Sequence, residues 1–177
     1  MRQRFERPID RENEERAIEE IERHLDPRLV CYHTPEGATV DIVVHPAGTD
    51  PLTNMVAAIE HKQRDFVFRQ KNWDVYFELH KLKAIERKYL MRNIPTYFVL
   101  TDAKGLRYGT RLGQAWYYDE PVPGRTKQTR DDYDAENLVV QIPYQNFSIL
   151  WMLCERINRL FADVFAARYG SPSTTRD

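Results

Sequence analysis

At 177 residues the chain has the length of one domain, able to bury most of its apolar surface around a single core. Its 26 basic and 27 acidic residues nearly cancel, so no whole-molecule field announces a polyanionic partner. With 42% apolar residues, two cysteines and no run long enough to span a bilayer, the composition suits a soluble globular domain and excludes a disulfide framework or a zinc cluster.

The opening MRQRFERPID has no apolar stretch, so no signal peptide is expected. A cytoplasmic, reducing setting is expected, with Cys31 and Cys154 as free thiols and no membrane partner. Asp10 is expected to cap a helix over RENEERAIEEIERHL, with Ala17, Ile18, Ile21 and Leu25 as its buried stripe. Glu14 falls on that stripe, four residues before Ile18, with Glu15 as its competitor; the other acids read as a solvated face. Three strands are predicted next, in RLVCYHT, ATVDIVV and MVAAIEHK. The last two flank the turn-rich HPAGTDPLTN and read as a β-hairpin with a long loop.

A helix is predicted from Trp73 to Met91, then NIPTYFVLT as a strand buried on both faces. LRYGT returns from it as a hairpin. The stretch YYDEPVPGRTKQTRDDYDAEN reads as a long, mobile or substrate-facing loop. LVVQIPYQNF is expected as an edge strand and turn. ILWMLCERINRLFADVFAARY is an amphipathic helix whose apolar face suits either closing the core or forming a homodimer. One domain is expected over residues 1–170, with a disordered polar tail over 171–177. The histidines show no paired ligand spacing, and no glycine-rich phosphate loop occurs.

The chemistry concentrates in the hairpin. Asp41 sits inside the apolar run ATVDIVV, and Glu60 and Lys62 close MVAAIEHK. Strand alternation points Glu60 and Lys62 one way and His61 the other. A carboxylate buried among apolar residues needs compensation, and a hard divalent cation supplies it. Mg²⁺ suits two carboxylates on neighbouring strands, filling its remaining positions with water and substrate phosphate. A lysine beside it can orient an attacking water and stabilise charge developing on phosphorus.

On these residues the chain resembles the PD-(D/E)XK nuclease superfamily, from about Asp10 to Thr101. Asp41, Glu60 and Lys62 match its motif, with Val40 where the family name has Pro. The resemblance implies a restriction-endonuclease-like α/β core, a central mixed sheet flanked by helices in the order α-β-β-β-α-β. It implies a Mg²⁺-dependent endonuclease acting on DNA, with Mn²⁺ able to substitute. Asp41 and Glu60 would be the metal ligands, the His61 carbonyl an additional one, and Lys62 the catalytic lysine. Glu14 would face the site from the first helix and reach a metal. Gln63, Arg64 and Tyr76 are candidate phosphate contacts, as are Lys81 and Lys83 from the basic stretch between Lys62 and Arg92; packing and helical ion pairs are the competing explanation.

A second acid-x-Lys, Asp102 and Lys104 in YFVLTDAKG, reads as a plain hairpin turn because Gly105 follows it. Two rivals remain at this point. One is a nucleic-acid-binding or interaction module without catalysis. The other is an unrelated α/β protein in which Asp41 and Lys62 form a structural ion pair.

Overall fold

A computed structural model describes residues 8–64, 66–68, 75–113, 122–123 and 138–169. Helix α1 spans Pro8–His24, followed by strands β1 (Leu29–His33), β2 (Ile42–Pro46), β3 (Ala57–Gln63) and β4 (Val75–Glu78). Helix α2 (Leu79–Lys88) leads to β5 (Thr96–Thr101) and β6 (Arg107–Arg111). Then come β7 (Val122–Pro123), β8 (Leu138–Ile142), β9 (Ser148–Ile149) and helix α3 (Leu150–Tyr169).

The protein is α/β, built on a mixed six-stranded sheet in the order β1-β2-β3-β5-β6-β9. The predicted hairpin forms: β2 and β3 are antiparallel, with Ile42 opposite Ile59 and Val43 opposite Ala58. β3 and β5 are parallel, with Glu60 beside Phe98 and Lys62 beside Leu100. Parallel neighbours need a crossover, and β4 with α2 supplies it. All six residues of β5 are buried, as its unbroken apolar run implies.

Each face of the sheet has its own core. α1 and α3 cover one, with Ile21, Leu25, Leu153, Ile157 and Phe161 packed on Ile42, Val44, Ile59 and Val99. α2 and the small sheet β4-β8-β7 cover the other, with Leu82, Ile85, Phe77 and Val140 packed on Val43, Ala58, Phe98 and Leu100. α3 approaches β6 closely at Gly109, where an added Cβ would lie 2.1 Å from Leu153 Cδ1. α3 also secures the end of α1: the Asn158 side chain donates to the His24 carbonyl and accepts from the Asp26 N–H, at 3.0 and 2.8 Å. These bonds satisfy backbone groups that a helix terminus leaves open. α3 thus closes the core, while Trp151, Met152 and Val164 stay exposed on it.

Two expected boundaries are corrected. α1 begins at Pro8, so Asp10 lies inside the helix rather than capping it. Proline suits a first turn because its φ is preset and its missing N–H has no helical partner there. The helix expected from Trp73 starts only at Leu79, and Val75–Glu78 is a strand with alternating burial that pairs with β8. The β-branched and aromatic residues Val75, Tyr76 and Phe77 suit a strand, and the long-range partner that makes one possible is not local in sequence. The expected tail over 171–177 and nearly all of the loop 117–137 lie outside the described residues, as do Arg69, Lys71, Arg125, Lys127 and Arg130.

Candidate metal centre on the hairpin

The β2–β3 register ends with Ile42 opposite Ile59, and Asp41 stands immediately before β2. Two bonds fix the Asp41 end of the strand: its N–H donates to the Ile59 carbonyl at 3.1 Å, and its Oδ2 accepts the His61 N–H at 2.8 Å. Alternation puts Glu60 and Lys62 on the α2 face and turns the His61 ring to the α1/α3 face. There His61 Nε2 lies 2.8 Å from Thr101 Oγ1, and burial pulls the imidazole down to about 4. The His61 peptide therefore touches Asp41, while its ring belongs to the opposite core.

Glu60 is completely buried. Its Oε1 is ion-paired with Lys81 of α2, and Lys62 Nζ lies 3.6 Å from the same oxygen. The Lys81 and Lys62 ammoniums are therefore what compensates this buried carboxylate. Burial and then the Asp41 carboxylate push the Glu60 carboxyl up to about 8, against the pull of Lys81 and Lys62. With Glu60 ionised, two carboxylates and two ammoniums sum to zero here, which makes so polar a cluster tolerable beside an apolar core.

The first-helix acid also arrives. Glu14 lies on the inward side of α1, its Oε2 2.5 Å from His33 Nε2 on β1. Glu14, His33, Thr34, Val40 and Asp41 line one small recess. Sequence reasoning set His33 aside because no second ligand sits at helical or strand spacing. The pairing with Glu14 depends on α1 lying across β1. Among the described residues, no group of three or more His, Cys, Asp or Glu side chains is arranged to hold a metal ion.

The expected phosphate contacts divide. Lys81 is 5% exposed and turned inward on Glu60, so it is not part of a solvated basic face. Lys83 is exposed, two residues on and so on another side of the helix. Gln63 is exposed at the end of β3, on the His61 side by alternation. Arg64 is half-buried, its N–H bonded to the Thr101 carbonyl at 2.9 Å. Tyr76, expected on a helix, stands on β4 facing solvent, its hydroxyl accepting from Gln141 Nε2 at 3.2 Å.

Asp102 of the second acid-x-Lys is also fully buried, but its carboxylate is taken up by the backbone. Oδ1 accepts the N–H groups of Lys104 and Leu106 at 2.8 and 2.9 Å, and Oδ2 that of Phe68 at 3.1 Å. It ties the β5–β6 turn to the segment after β3.

The chain matches no family model, no curated protein and no solved structure. Among the described residues, no helix is long and apolar enough to cross a membrane.

Proposed function

We propose that this protein is a Mg²⁺-dependent endonuclease with a restriction-endonuclease-like core, hydrolysing phosphodiester bonds in DNA, with Mn²⁺ able to substitute. The observation that carries this reading is the hairpin geometry: the Asp41 carboxylate is bonded to the His61 N–H, next to Glu60, and Lys62 Nζ lies 3.6 Å from Glu60 Oε1. The donor set fits the ion. Both ligands are carboxylates, Glu60 is fully buried with only lysine ammoniums beside it among the described residues, and Mg²⁺ asks for only one or two protein carboxylates.

Asp41 and Glu60 would hold the ion, with the His61 carbonyl as an additional ligand. When bound, the ion supplies a Lewis acid for the phosphoryl group and an acidified water. Lys62, 31% exposed, reaches from the buried carboxylate toward solvent, so its ammonium can donate to the attacking water and to the phosphoryl oxygen. Glu14 lines the same recess as Asp41 and would assist a second ion or its water. Gln63 and Arg64 would contribute phosphate contacts outside the reacting centre.

The Lys81–Glu60 pair favours one other reading. If that pair is permanent, the four charges form a structural network, and the protein is a binding or interaction module without catalysis.

Cleavage of a labelled panel separates the two: linear and circular duplex, single strand, flap and four-way junction, with Mg²⁺, Mn²⁺ or EDTA. Metal-dependent cutting by wild type, lost in Lys62→Ala and Asp41→Asn, supports the nuclease. Tight binding to a panel member without cutting in any metal supports the module.

A further inference from the structure

Lys81 stands apart from its neighbours in the basic stretch. It is nearly buried, and its ammonium is paired with the fully buried carboxylate of Glu60. Lys62, the lysine of the strand motif, lies farther from the same oxygen, at 3.6 Å. A buried ammonium is retained only where a carboxylate neutralises it, so Lys81 and Glu60 sustain one another. A divalent ion on Asp41 and Glu60 would share an oxygen's neighbourhood with this ammonium. Like charges so close, with little water between them, repel strongly.

We propose that Lys81 is a resident counter-ion of the metal site: it occupies Glu60 in the metal-free protein and is displaced from that carboxylate when a divalent ion binds. This rests on the nuclease reading through its metal ligands. Lys81 acts on the ion through Glu60 and is a positioning residue. Its position on α2, which follows the metal strand only after a crossover, means that the strand motif does not report it. The displaced ammonium needs a new anion, and the phosphate of an arriving nucleic acid is one. Metal and nucleic acid then reinforce each other's binding, by equal factors.

The test is Mn²⁺ titration by calorimetry of the DNA-free protein, comparing wild type with Lys81→Met and Lys83→Met. Methionine keeps the length of the stem and helical propensity, and leaves Lys62 beside Glu60. Lys81→Met should bind Mn²⁺ about tenfold more tightly than wild type, and Lys83→Met should match wild type. Wild type that binds Mn²⁺ with Lys81→Met no tighter overturns the counter-ion and leaves the metal site standing. Absence of Mn²⁺ binding in wild type and Lys81→Met alike overturns both. A second measurement needs no variant: acetylation of wild-type lysines, mapped by mass spectrometry with and without saturating Mn²⁺. Lys81 labelling should rise several-fold with the ion while Lys83 stays constant; unchanged Lys81 labelling with Mn²⁺ bound overturns the proposal.

Discussion

Glu60-x-Lys62 and Asp102-x-Lys104 are the same pattern at the ends of two adjacent parallel strands, and both acids are fully buried. What compensates them differs. Asp102 accepts three backbone N–H groups, fixed dipoles that cannot leave without unfolding the turn. Glu60 has only the ammoniums of Lys62 and Lys81, carried on flexible stems. A buried carboxylate held by backbone has a structural task. One held by mobile charge can exchange its partner for a ligand. Solvation separates the lysines too: Lys104 is exposed at a turn, while Lys62 reaches back to a buried acid.

The largest expected contrast is catalytic. Lys62→Ala should lower metal-dependent cleavage by about 10³-fold or more, and Asp41→Asn likewise, while Lys104→Ala leaves it unchanged in the same kinetic assay. Asparagine at 41 can still accept the His61 N–H, so a loss there with thermal stability retained assigns the effect to charge. Equal losses in Lys62→Ala and Lys104→Ala would erase the distinction between the two sites.

Next in size is a stability contrast running the other way. Asp102→Ala strips three N–H groups of a charged acceptor and should cost about 3 kcal/mol or more in urea unfolding. Addition of Mn²⁺ should still raise the melting temperature of the folded fraction, since the hairpin carboxylates are untouched. A change under 1 kcal/mol (roughly the worth of one ordinary hydrogen bond) would show that the turn holds without its acid.

A smaller effect is expected where a neutral side chain does the satisfying. Asn158→Ala removes the amide that joins α1 to α3 and should cost about 1–2 kcal/mol by the same measurement, with no change in cleavage. Loss of cleavage in that variant would mean that the α1/α3 face communicates with the metal face through the sheet.

The smallest effect belongs to a half-buried carboxylate. Hydrogen bonds from Arg28 lower Asp26 to about 2 from an ordinary value of 3.8. A depressed carboxylate stabilises the fold above its unfolded value and stops doing so as pH falls through its folded one. The Asp26 contribution should therefore fade between about pH 4 and pH 2, and Asp26→Asn should flatten the stability curve slightly in that window only. Curves for variant and wild type that run parallel there would remove the Arg28 contribution.

Sequence alone determined a good deal of this protein. Apolar alternation, the turn-rich HPAGTDPLTN and the unbroken run in β5 are local signals, and they were enough for the hairpin, the buried strand, both terminal helices and the α/β class. The shared face of Glu60 and Lys62 followed from strand period alone, and the inward position of Glu14 from its spacing to Ile18 and Ile21. Only the tertiary structure decided who satisfies whom. Val75–Glu78 became a strand because β8, some sixty residues later, offers it an edge. Lys81 turned from a presumed surface charge into the partner of Glu60 because the crossover lays α2 over that strand. His33 met Glu14 because α1 crosses β1, and Asp102 was settled by backbone from a segment after β3. Periodicity says which way a side chain points along its own element; the charge or dipole waiting for it is supplied by another part of the chain, and only packing brings the two together.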